Sequence, residues 1–174
     1  MSKVHVLHAR VQHVRDGKVI FEEQVDNILH DEGEQAILSA YFATGLAGFG
    51  APPASLYLGL DNRTTLAEAN TLTNLSGEPV GTGYARKALS TAGTGVSGQD
   101  FYINQPATYY QADSKIVTFQ NTGATAWTAV KNLFLCTVLS GTAGKLICSL
   151  ALSAERILRP QDSLNASLYI GLSE

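Results

Sequence analysis

The chain has 174 residues, 12 Lys and Arg against 15 Asp and Glu, and no block of basic residues. That balance excludes an electrostatic grip on nucleic acid or anionic lipid, which needs clustered positive charge. The length suits one domain, residues 1–174, able to bury roughly two-thirds of its unfolded surface, and no apolar run is long enough to span a membrane.

Residues 3–14 and 18–26 are expected to form a hairpin closed by Asp16-Gly17, a dipeptide suited to the positive backbone angles of a tight turn. A two-residue turn there sets Arg10 opposite Glu23 and Val14 opposite Val19. His8, Arg10 and Gln12 share a face with Val4 and Val6, so the first strand divides poorly into apolar and polar faces. Residues 1–26 can therefore serve as an assembly arm or as an ordinary edge hairpin. Between Asn27 and Gly45 lies one helix, about residues 31–44. Asp31 stands as N-cap with Glu34 three residues on, as in a capping box. Ile37, Leu38, Tyr41 and Phe42 recur at helical spacing and predict a core-facing stripe, and Gly45 is placed to end the helix.

Pro52-Pro53 stops any helix, and Leu56, Leu58 and Leu60 alternate in a short strand over Ser55–Leu60. Residues 61–82 are polar, with a short helical turn expected around Leu66–Ala69. Tyr84–Ser90 reads as a strand. The segment from Thr91 to Asp113 reads as a second long polar loop carrying Phe101, Tyr102, Tyr109 and Tyr110; loops of this length usually function or contact something.

Four strands are predicted between Ser114 and Leu172. Lys115–Asn121 comes first. Lys131–Leu139 and Lys145–Leu152 form a hairpin through Ser140-Gly141-Thr142-Ala143-Gly144. Symmetry about Thr142 would face Phe134 with Leu150, Cys136 with Cys148 and Val138 with Leu146. In the last strand Leu164, Ala166, Leu168, Ile170 and Leu172 share one face, and Ser163, Asn165, Ser167 and Tyr169 the other. Such alternation places one side on a core and leaves the other partly wet.

Met1-Ser2-Lys3 is not followed by a signal-peptide core, so synthesis in a cytosol is expected. Two cysteines in that setting default to reduced, buried thiols, although the hairpin register would allow a bond under oxidising conditions. Charged residues are only 16% of the chain, so part of the surface is expected to lie under other subunits; sparse charge is also common in Ser/Thr-rich β-proteins.

No catalytic constellation emerges. His5 and His8 point to opposite strand faces, and His30 beside Asp31 reads as local structure. Gly93-Thr94-Gly95-Val96-Ser97-Gly98 lacks the following helix that a dinucleotide loop needs. Asp61, Glu68, Glu78, Asp100 and Asp113 are the carboxylates from which a glycosidase pair could be drawn, and Asp31, Glu32 and Glu34 are better explained by helix capping than by metal. No enzyme activity, catalytic residue, metal or cofactor is expected. The residues singled out are Phe101, Tyr102, Tyr109, Tyr110, Trp127, His8 and Arg10, as an interface. Tyr102, Tyr109, Tyr110 and Trp127 can alternatively be read as a sugar-stacking platform.

The ordered pieces Asn27-Ile28-Leu29-His30-Asp31-Glu32-Gly33, Leu56-Tyr57-Leu58-Gly59-Leu60, Gly83-Tyr84-Ala85-Arg86, Val117-Thr118-Phe119-Gln120-Asn121, Ser140-Gly141-Thr142-Ala143-Gly144-Lys145-Leu146 and Arg159-Pro160-Gln161-Asp162-Ser163-Leu164 resemble a family of small virion structural proteins of tailed bacteriophages. The resemblance covers residues 27–172. It implies a β-sandwich subunit on the virion, foremost a capsid decoration (cement) protein binding the major capsid protein or other virion subunits. A tail or fibre-attachment protein and a carbohydrate-binding module are the alternatives. The resulting expectation is a mainly β, sandwich or jelly-roll-like fold with one helix and long loops. It includes a homo-oligomer, taken as a trimer, located on the virion without nucleic acid or membrane contact.

Overall fold

The computed structural model describes residues 8–42, 53–75, 77–105 and 110–171. Its strands are β1 (His8–Arg15), β2 (Lys18–Leu29), β3 (Ser55–Asp61), β4 (Lys87–Ser90), β5 (Phe101–Asn104), β6 (Gln111–Ser114), β7 (Val117–Gln120), β8 (Trp127–Cys136), β9 (Leu146–Leu158) and β10 (Ser163–Gly171), with helix α1 (Asp31–Phe42) after β2. The fold is mainly β, two antiparallel sheets with one helix, as a sandwich requires. All pairings are antiparallel.

Strand order is β4-β3-β8-β9-β2-β1-β10-β6-β5, with β7 also on β10. Strand β2 belongs to both sheets: residues paired with β1 run from Lys18 to Asp26, and Asn27–Leu29 pair with β9. Strand β1 is thus an interior strand between β2 and β10 rather than an edge. Its alternation, obscure in sequence, resolves once both neighbours are present. Ala9 and Val11 face the core, and Arg10 and Gln12 face outward.

A β-bulge in each of the two hairpins shifts its register away from the simple geometry. In the first hairpin, Asp16 (φ 49°) and Gly17 (φ 72°) make the expected turn, and Val14 faces Val19. Past it, however, His13 faces Phe21, which leaves Ile20 as an extra residue and moves Arg10 from Glu23 to Gln24. In the second hairpin Cys136 faces Leu146 and Leu135 faces Cys148, so Ile147 is the extra residue. Leu133, not Phe134, faces Leu150. The two cysteines consequently occupy opposite faces of the sheet and are free and buried; burial pushes the Cys148 thiol up to about 12.

The main core lies between the sheets, where Leu58, Leu60, Phe119, Leu133, Leu135, Leu150, Leu158, Leu164 and Leu168 are fully or almost fully buried. Tyr84 packs edge-on to Trp127 at 5.7 Å and stacks at 6.2 Å on Phe119. Strand β8 alternates so that Phe134 and Cys136 point to the other side. There they form a second cluster with Leu72 and Leu146, beneath the chain segment that follows β3. Gly59 lets the Phe134 ring approach, since a Cβ there would stand 2.3 Å from its Cζ.

Helix α1 starts one residue earlier than a capping box at Asp31 implies. The His30 carbonyl accepts from Gly33 and Glu34, so His30 holds the N-cap position. Its seating also differs from the stripe the spacing predicts. Gly33 abuts Ile147, where a Cβ would come 2.2 Å from the carbonyl oxygen, and Ala36 packs on the core, while Ile37 and Leu38 are exposed. Small residues win the inward face because the helix lies too close to β9 to admit long ones. The side chains of Tyr41 and Phe42, and Gly45 itself, lie outside the described residues.

Other differences are local. The strand expected from Tyr84 begins only at Lys87; β9 runs on to Leu158; and the expected loop 91–113 contains β5 and β6. Where a helical turn is expected around Leu66–Ala69 the chain makes a single hydrogen-bonded turn, Asn70 N donating to the Ala67 carbonyl at 3.0 Å, and a 3-10 turn follows at Leu72–Asn74, capped by Thr71.

Candidate functional site

Strand alternation sends a polar set of side chains onto the outer face of the sheet that holds β1 and β10. The register builds this face in rows. Tyr102 on β5 is opposite Asp113 on β6, Asp113 opposite Tyr169 on β10, Tyr169 opposite His8 on β1, and His8 opposite Asp26 on β2. Next to it run Ser167, Arg10 and Gln24, then Asn165, Gln12 and Glu22. Cross-strand contacts tie the rows together. Arg10 Nε donates to Glu22 at 2.9 Å, Gln12 donates to Glu22 at 2.6 Å, His8 meets Asp26 at 3.3 Å and Thr118 donates to Asn165 at 2.8 Å. The hydrogen bond from Gln12, then those from Arg10, hold the Glu22 carboxyl below its ordinary range.

A cavity of about 190 Å³ opens on this face, lined by Arg10, Gln12, Tyr102, Asn165 and Tyr169 with Ser114, Ile116 and Ala166 beneath and beside them. The Tyr102 hydroxyl is hydrogen-bonded to Asp113, which raises its pKa. Ser114 closes the floor: its Oγ accepts from Leu168 N at 2.8 Å and donates to Lys115 O at 2.9 Å.

A second polar centre lies on the opposite side of the molecule and is closed. Asp61 and Arg63 form a buried ion pair. Asn132 donates to Asp61 at 2.9 Å and to the Arg63 carbonyl at 2.8 Å. Arg63 donates to Ser149 Oγ at 2.7 Å, and Ser149 stands 2.9 Å from His30 Nε2. His30 Nδ1 lies 2.9 Å from the Ala67 carbonyl, which can only accept, so Nδ1 carries the proton and Nε2 takes one from Ser149. Burial lowers the His30 pKa, in keeping with this neutral tautomer. The Ser–His juxtaposition looks like a nucleophile and its base. Yet both side chains are fully buried, and the serine oxygen is already engaged by Arg63. What the network does is fasten the segment after β3 to β8, β9 and the start of α1.

Of the other carboxylates named from sequence, Glu78, Asp100, Asp113 and Glu32 are committed locally, whereas Asp31, Glu34 and Glu68 are exposed. Glu78 holds Arg86 through two hydrogen bonds and accepts from Tyr84 at 2.7 Å, while Arg86 lies over Phe134 at 5.1 Å. Asp100 pairs with Lys115 and accepts from Ser90 N at 2.8 Å. Asp113 accepts from Asn104 and Gln111. Glu32, read as helix capping, instead receives Lys145 Nζ at 3.1 Å and Leu146 N at 3.0 Å. Among the described residues no three His, Cys, Asp or Glu side chains gather as a metal site.

A family model described as podophage GP4 fiber I protein gp80 matches residues 29–170. The chain belongs to this family. It is therefore a bacteriophage virion structural protein. No curated protein and no solved structure matches it. The match begins where β2 enters α1 and ends within β10, so the β1 side of the groove, with Arg10 and Gln12, lies outside it.

Within this family member, the residues singled out from sequence separate into distinct settings. Tyr102 and Arg10 line the groove, and His8 stands beside it on the same face. Phe101 packs against the core. Trp127, 3% exposed, is a core residue, which removes it from any surface platform. Tyr110 is exposed outside the groove, and Tyr109 lies outside the described residues. Asn165 and Tyr169 were not singled out, although their place on the non-core side of the last strand was visible in its alternation.

Proposed function

We propose that this chain is a structural subunit of a podophage fibre, acting through shape and adhesion rather than through reactive groups. The observation that carries this reading is the family match over residues 29–170 to a fibre protein. The head-decoration role suggested by the sequence resemblance fits that match less well. Assembly would be as a homo-oligomer, a trimer in the simplest case, in contact with other virion subunits. Ile37 and Leu38, apolar and exposed on α1, are surface that such a contact would cover. The buried state of Ser149 and His30 supports a non-catalytic role for that pair.

Antibody labelling of intact particles tests the placement. Label on fibres is the expected result, whereas label spread over the head surface would restore the decoration role. Sedimentation of the purified chain tests the oligomer. Ile37→Ser with Leu38→Ser should weaken the oligomer if α1 forms its contact.

A further inference from the structure

The groove on the outer face has a chemistry of its own. Its charges cancel internally. Arg10 directs Nε and a terminal nitrogen to Glu22, and Asp113 stands beside Tyr102 on the neighbouring strand, hydrogen-bonded to its hydroxyl. An incoming anion would meet those carboxylates along with the donors. An apolar ligand would fare no better, because it would strip water from Arg10, Gln12 and Asn165 without replacing the hydrogen bonds.

What the groove can still offer is a mixture. The Asn165 amide oxygen accepts from Thr118, so the amide contributes N–H donors. Tyr169 Oη accepts from Ser167 at 3.2 Å and keeps its own proton to donate. Tyr102 and Tyr169 bring ring surface, and Ile116, 66% exposed, adds an apolar edge. Aromatic faces with a few fixed donors suit a ligand that has C–H faces and hydroxyl edges together. At about 190 Å³ the space is smaller than a typical enclosed drug-sized site and matches one ring of a longer chain.

We propose that this groove binds one unit of a neutral saccharide, with Tyr102 and Tyr169 as its ring contacts and Arg10, Asn165 and Tyr169 as its donors. The inference rests on the fibre reading only for bringing the groove to a glycan-coated surface. Binding is measured on the purified chain and placement on particles, so the two can fail separately.

The test is a nuclear magnetic resonance titration of the full-length chain with glucose, galactose, rhamnose and N-acetylglucosamine, with inorganic phosphate as the competing probe. At least one sugar should produce saturable shifts, in the millimolar range, at the amides of Tyr102, Ser114, Asn165 and Tyr169. Tyr102→Ala should weaken that binding roughly fivefold or more. Asn165→Ala, on the exposed side of its strand, provides a second reading if Tyr102→Ala misfolds. Three outcomes would overturn the proposal: no saturable shift with any sugar, shifts at these amides with phosphate alone, or sugar binding untouched by the folded variants.

Discussion

The two sheets treat their outer faces in opposite ways. Beyond β8 and β9, the outward side chains Asn132, Phe134, Cys136 and Ser149 are all buried, covered by the segment after β3 and anchored by the Asp61–Arg63 pair. Beyond β1 and β10, Arg10, Gln12, Asn165 and Tyr169 stay at least partly exposed around the buried Ser167 and Asp113, are linked by pairs such as Arg10–Glu22, and line an open groove. Both faces carry polar groups, the covered one alongside Phe134 and Cys136. The difference is whether a polar group finds its partner inside a closed layer, where loss of that partner leaves a desolvated charge, or beside water, which replaces the partner readily. The first arrangement holds shape, and the second leaves chemistry available to a ligand.

Arg63→Ala should have the largest effect. It leaves Asp61, fully buried and already pushed upward in pKa by burial, without its countercharge. It also takes a donor from Ser149. Removing one partner of a buried ion pair commonly destabilises by about 3–5 kcal/mol, to be read from chemical denaturation midpoints. A loss near that of a surface substitution would mean that water reaches Asp61 and that the covered face is not closed.

A second effect concerns acid. Asp162, 2% exposed, receives Arg15, His13 and the Arg159 N–H. Desolvation opposes its ionisation, but those hydrogen bonds outweigh it and hold the carboxyl at about 2. A folded pKa below the unfolded value stabilises the fold above about pH 4. That contribution is lost as pH falls from there through about 2. Allowing for screening through the partly exposed Arg15, the loss is on the order of 1–2 kcal/mol. Asp162→Asn should flatten the stability profile over that interval; an unchanged profile would show that other carboxylates dominate acid unfolding.

Gly33→Ala probes how the covered face is closed at its helix end. The added Cβ would collide with the Ile147 carbonyl, which is backbone and cannot rotate away. The same carbonyl accepts from His30 N at 3.0 Å. Overpacking of this kind costs about 1–3 kcal/mol, and amide exchange at His30 and Glu34 should quicken.

These positions also show what could be read in advance. The turn at Asp16-Gly17 and the alternation of β10 were legible because their residue types allow few alternatives. The register of β8 on β9 was not. Leu146, Ile147 and Cys148 are apolar in succession, so the pattern suits either phase, and the bulge at Ile147 is decided by where its carbonyl meets α1. The helix stripe misled for a related reason. Hydrophobic spacing favoured Ile37 and Leu38, whereas the short helix–sheet distance required Gly33 and Ala36. Strands β5 (Phe101-Tyr102-Ile103-Asn104) and β6 (Gln111-Ala112-Asp113-Ser114) have four residues each, too few to show an alternation. In the groove, Tyr102 and Arg10 were recognisable by type. Their meeting with Asn165 and Tyr169 depends on strands far apart in sequence.

The smallest expected effect lies on the open face, and it defines the other end of the comparison. Arg10→Ala removes a cation that is half exposed and whose partner Glu22 is similarly exposed. Water can take over both hydrogen bonds, so the denaturation midpoint should stay close to that of the parent protein. The local electrostatics, by contrast, must respond. Gln12 and Arg10 together hold Glu22 below its ordinary pKa, so deleting Arg10 should let that value rise partway, with the Gln12 bond retaining the rest. A carboxylate titration followed by nuclear magnetic resonance separates the two readouts. A raised Glu22 pKa at constant stability is what an exposed recognition surface requires. If stability instead fell as it should for Arg63→Ala, the face carrying β1 would be supporting the fold, and its side chains would have little freedom left for a ligand.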